Sequence, residues 1–133
     1  MTVGMTSTDY VLDTSAIIEA IRESERGKKV ETTIGTSRCF VTPFTIAEAI
    51  SIAERNKGDP ELVLRAILDR CVVIEARAVQ GYDTGLFHAV SRRRIPKLSY
   101  GDAAVIAAAD LVKGTIVTCD TDFKSFKNAI VVE

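Results

Sequence analysis

The chain has 133 residues, 47% of them hydrophobic and 26% charged, a composition of a folded globular domain that excludes a disordered or fibrous class. Seventeen basic residues against eighteen acidic ones leave a net charge of −1. No global field therefore recruits a polyanion, and nucleic acid would need local basic patches or a bound cation.

Met1–Thr8 lacks the basic and apolar regions of a signal peptide and reads as a flexible lead-in to a single domain spanning 1–133. No apolar run approaches the ~20 residues of a membrane-spanning helix. Tyr10–Leu12 reads as a buried strand ending at Asp13, and Thr14 to about Glu23 as a helix. A polar, helix-compatible stretch over Arg26–Ile34 follows, stopped by Gly35. Cys39–Val41 is the second strand. Thr42-Pro43 then pairs an N-cap hydroxyl with a proline at the first helical position, predicting a helix to about Asn56.

Asp59-Pro60 opens the next helix, and Cys71–Ile74 is the third strand. Val79, Tyr82, Leu86, Ala89 and Val90 keep helical spacing up to Arg92-Arg93-Arg94, with Pro96 as the breaker. As apolar residues these are core or oligomer contacts. Ser99 caps a helix over Tyr100–Lys113 that Gly114 ends. Thr115–Thr118 and Ile130–Val132 are the last strands. Strands that read as continuous apolar runs are covered on both faces. The architecture is therefore α/β in three layers, a mostly parallel sheet of about five strands flanked by helices.

Three cysteines, Cys39, Cys71 and Cys119, contain no CxxC pair, and His88 is the lone histidine, so a Cys/His zinc site is excluded. Buried, reduced thiols fit a cytoplasmic protein. His88 reads as a surface or core-edge residue.

Carboxylates carry the functional signal. In open parallel sheets, ligands bind beyond the carboxyl ends of the strands, at the switch point in strand order. Asp13 and Asp120 end strands there, Asp122 follows, and Glu48 and Asp102 lie in the opening turns of helices. Each also has a structural reading: Asp13 as a helix cap, Asp102 in a capping box with Ser99, Asp120 and Asp122 as turn residues. Glu48 is the single charge between Pro43 and Ala53, in a helix apolar almost all round and so expected to be buried. An ionised carboxylate there requires a partner, and a cation shared with the other acids is more economical than a distant arginine. Hard divalent ions such as Mg²⁺ or Mn²⁺ take carboxylate and water oxygens, and polarise a scissile phosphate without histidine or cysteine.

Four segments carry a family resemblance: Tyr10-Val11-Leu12-Asp13-Thr14-Ser15, Thr45-Ile46-Ala47-Glu48, Leu98-Ser99-Tyr100-Gly101-Asp102-Ala103, and Thr118-Cys119-Asp120-Thr121-Asp122-Phe123. In order and spacing they resemble the PIN-domain family, and within it the toxins of VapBC-type toxin–antitoxin pairs. The resemblance implies an endoribonuclease dependent on Mg²⁺ or Mn²⁺, with Asp13, Glu48, Asp102 and Asp120 as the catalytic acids. Asp13, Asp102 and Asp120 are the implied metal ligands, and Thr14, Ser15, Thr118 and Asp122 are in support. It further implies an RNA substrate, an antitoxin partner and a homodimer. PIN ribonucleases of RNA processing and catalytically silent PIN modules share the same pattern. Arg92, Arg93, Arg94 and Lys97, or Arg22, Arg26, Lys28 and Lys29, are candidate grips for RNA phosphates.

Three rivals fail on residues. A receiver domain needs an Asp ending the third strand, where Val73-Ile74-Glu75 stands. A haloacid-type phosphatase needs a second Asp where Ser15 stands, and no G-x-G-x-x-G turn supports a dinucleotide.

Overall fold

The computed structural model describes residues 8–133, so the expected lead-in over Met1–Thr8 lies, but for Thr8, outside the described residues. Five short strands, β1 (Tyr10–Leu12), β2 (Cys39–Val41), β3 (Cys71–Val73), β4 (Thr115–Thr118) and β5 (Ala129–Val131), form one sheet in the order β3-β2-β1-β4-β5. Every pairing is parallel, so the sheet is parallel throughout rather than mostly. Six helices alternate with the strands: α1 (Thr14–Arg22), α2 (Glu25–Ile34), α3 (Pro43–Arg55), α4 (Pro60–Arg70), α5 (Ala78–Ser91) and α6 (Tyr100–Val112). A 3₁₀ turn over Thr121–Ser125 joins β4 to β5.

Strand alternation sorts the core into two layers. Leu12, Val41 and Val117 face one way, against Ala16 and Ile17 of α1, Val30 and Ile34 of α2, and Ile67 of α4. Val11, Phe40 and Ile116 face the other way, against Val105, Ile106 and Ala109 of α6. Phe123, fully buried, closes that second layer.

Local signals place the helix ends as the chemistry requires. Thr42 caps α3, its hydroxyl accepting from Thr45 N at 3.1 Å ahead of Pro43. Ser99 and Asp102 form the reciprocal capping box of α6. The end of α6 differs from expectation: Lys113, not Gly114, takes the left-handed cap conformation. Gly114 serves a close approach instead, since a Cβ there would lie 2.8 Å from the Asp9 carbonyl oxygen.

The expected burial of α3 is also corrected. Only Thr45, Ala49 and Ala53 are buried, while Phe44 and Glu48 are exposed. The helix packs against α1, α4 and α6, and its fully buried residues form one narrow stripe, four residues apart at each step. Val79, Tyr82, Leu86 and Val90 on α5 are likewise exposed and not core.

Candidate active site

Chain order across the sheet reverses beside β1: the chain moves outward to β2 and β3, then returns to place β4 on the other side of β1. The gap beyond the carboxyl ends of β1 and β4 is the switch point, where such folds admit ligands. Asp13 ends β1 and Asp120 follows β4. A cavity of about 710 Å³ opens there, lined by Asp13, Glu48, Asp102 and Asp120 among other residues. Four acids from well-separated segments thus share one space.

Asp13 is the most enclosed of them, 5% exposed. It caps α1 by accepting from Ala16 N at 3.1 Å, and it also accepts from Ser15 Oγ at 2.7 Å and Thr118 Oγ1 at 2.6 Å. Burial pushes its carboxyl above the ordinary range, aided by the charge of Asp102, and the three donors oppose that rise without cancelling it. The same hydroxyls tie the two strand ends together. Ser15 Oγ accepts from Cys119 N at 2.9 Å, and Thr118 Oγ1 accepts from Asp120 N at 2.9 Å.

The remaining acids are held less tightly. Asp120 caps the 3₁₀ turn, one oxygen accepting from Asp122 N at 2.9 Å. Asp102 spends Oδ2 on Ser99 N at 3.2 Å, in the capping box. Glu48 accepts from Thr14 Oγ1 at 2.8 Å and lies flat against the first turn of α6. A Cβ on Gly101 would stand 2.9 Å from its Oε1. The capping readings of Asp13 and Asp102 therefore hold, and they do not compete with convergence. Capping fixes where each carboxylate sits, and one wall of the cavity needs both.

Thr14, Ser15 and Thr118 are thus hydrogen-bonded to the acids they were expected to support. Asp122 donates its backbone N–H to Asp120 while its exposed side chain lies outside the cavity lining. Arg92, Arg93, Arg94 and Lys97 also lie outside that lining. Two of them are engaged elsewhere: Arg92 folds back onto the Pro96 carbonyl oxygen, and Arg94 stacks on Phe126, its guanidinium carbon 4.8 Å from the ring centre. The cations that do line the cavity are Arg22, Arg26 and Arg55. Arg55 escaped the sequence reading, although it stands two helical turns after Glu48, on the same face of α3.

His88 is half-buried away from the acids, bonded to the Leu98 carbonyl oxygen at 3.1 Å and stacked on Tyr100. All three cysteines are free thiols. Burial raises each, Cys71 to about 12, so none is a ready nucleophile.

The four acids offer a hard divalent cation oxygen donors. None of them has an ion-pair partner among the described residues, and the one sulfur in the lining, Cys119, is a buried thiol whose pKa is raised. No three acidic, histidine or cysteine side chains among the described residues close into a direct cage. A cation there would have to be held directly by no more than two of these side chains, with waters completing its shell, which Mg²⁺ accepts.

A family model of the PIN domain matches residues 10–129. No curated protein matches the chain significantly. Among solved structures, it is similar to a toxin–antitoxin complex from Klebsiella pneumoniae (19% identity, TM-score 0.72, covering 93% of this chain and 98% of that one). It is also similar to VapC20 from Mycobacterium tuberculosis, described as a toxin cleaving the sarcin–ricin loop (14% identity, TM-score 0.72, covering 93% and 99%). A third likeness is to VapBC2 from Rickettsia felis bound to a DNA fragment from its promoter (18% identity, TM-score 0.71, covering 92% and 96%).

Proposed function

The chain belongs to the PIN domain family, and from that membership we propose that it is a divalent-metal-dependent endoribonuclease, acting as the toxin of a VapBC-type pair. One observation carries the reading. Four carboxylates, delivered by β1, α3, α6 and the end of β4, line one cavity at the switch point with no basic partner among the described residues. Like charges gathered in one space work against folding, and the charge of Asp102 adds to the rise in the pKa of Asp13. Capping accounts for where Asp13 and Asp102 sit, and function accounts for all four acids facing one space.

Asp13, Asp102 and Asp120 would hold Mg²⁺ or Mn²⁺, no more than two of them directly and the rest through water, with Glu48 completing the acidic wall. The bound ion would supply charge neutralisation for the phosphodiester and a lowered pKa for the attacking water. Asp13 is oriented by three donors and keeps lone-pair capacity on Oδ2, which accepts one bond in the structure. Thr14 fixes one oxygen of Glu48 and leaves Oε2 free to accept a proton from water. Asp102 likewise keeps Oδ1 free of its cap. Water adds to phosphorus as its proton passes to Glu48, the bond to the leaving oxygen breaks, and that oxygen takes up a proton from solvent water.

The likeness to toxin–antitoxin complexes supports a protein antitoxin as partner. The exposed stripe Val79, Tyr82, Leu86 and Val90 supports a homodimer. No helix among the described residues is long and apolar enough to cross a membrane, in keeping with a cytoplasmic site of action.

Cleavage of RNA by the purified chain tests the reaction. Hydrolysis should appear with Mn²⁺, vanish in EDTA and vanish in Asp13→Asn. It should persist within a few fold in His88→Ala. Metal-independent cleavage, or its loss in folded His88→Ala, would overturn the mechanism.

A further inference from the structure

Beyond the acids, the cavity continues as a trough between α1 and α3, and its far end reverses in charge. Each helix lines it with one face. Ser15, Ile18 and Arg22 come from α1, and Glu48, Ile52 and Arg55 from α3. Both sets run i, i+3 or i+4, i+7, the spacing of a single helical face. Hydroxyl and carboxylate stand at one end, Ile18 and Ile52 with Ser51 and the Arg26-paired Glu19 form the middle, and an arginine closes each side. Seven residues of helix separate the two ends, roughly 10 Å at 1.5 Å per residue.

Among the described residues, no acid engages either arginine. Within those residues Arg55 donates only to the Ser51 carbonyl oxygen of its own helix. Arg22 has no ion pair or side-chain hydrogen bond among the described residues. Arg26, the third cation of the lining, is paired with Glu19 at 3.6 Å, so those two charges offset each other. A cation in the last turn of a helix is favoured by the helix dipole. That accounts for where Arg22 and Arg55 fall along their helices, but not for both facing the same trough.

We propose that Arg22 and Arg55 form a phosphate subsite, gripping the backbone of a single RNA strand that runs along the trough from the acidic end. The inference rests on the hydrolytic reading above and adds the strand's path to it. Acids alone repel a polyanion, so the arginines supply the attraction the acidic end lacks. A stacked strand carries one phosphate per roughly 3.4 Å, which places the subsite about three phosphates from the scissile bond, fewer where the strand is extended. Apolar Ile18 and Ile52 between the two ends offer a surface for base or ribose faces. The trough makes no demand on base identity.

Binding of a fluorescent oligouridine to the full chain in the Asp13→Asn background, measured across salt concentrations, tests this without turnover. Arg22→Gln and Arg55→Gln should each raise Kd about 3–10-fold and lower the salt slope by about 0.7, one phosphate contact on a single strand. Arg65→Gln, exposed on α4 and outside the cavity lining, should change neither. Unchanged Kd and slope in both trough variants would overturn the subsite. So would loss of binding to an oligoglutamate peptide with RNA binding spared, which would assign the trough to an acidic protein segment. Wild-type protein that binds RNA through these arginines yet shows no Mn²⁺-dependent cleavage would uphold the subsite and sink the reaction. Intact cleavage with neither arginine mattering would do the reverse.

Discussion

Helices α3 and α6 are alike in length and in composition. Each has thirteen residues, small and apolar over most of its length, with one acid in its opening turns. The fold treats them oppositely. Gly101 and every residue from Ala103 to Ala109 of α6 are buried, and Asp102 is the half-exposed exception. Helix α3 buries three residues and leaves Phe44 and Glu48 in the open. The difference lies in what packs around them. Helix α6 is sandwiched between the sheet and α5, its alanines admitting close approach, whereas α3 touches its neighbours along one stripe. Glu48 therefore faces the cavity as an exposed carboxylate, and desolvation is not what demands a partner for it. The burial argument applies instead to Asp13, on the floor between the two helices.

Breaking the shared role of the two acids should give the largest effect. Glu48→Gln and Asp102→Asn should each cut metal-dependent hydrolysis by about 10²–10⁴-fold, with far-ultraviolet circular dichroism unchanged. Full activity in either variant would remove that helix from the site.

Overpacking sharpens the contrast next. Ala109→Leu, at a position 1% exposed in α6, should destabilise by about 1–3 kcal/mol. Ala47→Leu, exposed on α3, should stay within about 0.5 kcal/mol of wild type. Urea denaturation of both variants reads the difference directly, and equal losses would mean that α3 is covered after all.

The smallest effect concerns Asp13. Its pKa is raised in the fold, above all by burial, so the native state holds the proton more tightly than the unfolded chain does. Stability from this group is thus fully present below the unfolded value of 3.8 and is lost as pH rises through the folded value. Asp13→Asn keeps a capping acceptor and removes that loss. It should melt higher than wild type at neutral pH in EDTA, by about 0.5–2 kcal/mol. The gap should close as pH falls toward 3.8, and Mn²⁺ should narrow it by stabilising only the full acid set. Calorimetry at two pH values checks the sign. A variant that melts lower at neutral pH would make Asp13 a net structural asset.

Local chemistry was legible in the order of residues. Thr42-Pro43 and Ser99 with Asp102 announce helix starts, because capping needs only a hydroxyl or carboxylate within a few residues of free N–H groups. Continuous apolar runs announce strands covered on both faces, and a strand end followed by Asp announces an acid at the sheet's carboxyl edge. Five strands, six helices and the acids lining the cavity follow from such short-range signals. Long-range placement was not legible. The hydrophobic pattern of α3 cannot say whether another layer covers it, since burial depends on a partner surface and not on the helix's own residues. Only the register of β1 against β4 puts Thr118 beside Asp13, 105 residues away. Only the packing of α1 on α3 turns Arg22 and Arg55 into one trough, while in the more conspicuous Arg92-Arg93-Arg94 run Arg92 folds back on its own turn and Arg94 stacks on Phe126. Charge clusters in sequence record proximity along the chain, and a binding surface is made by proximity across it.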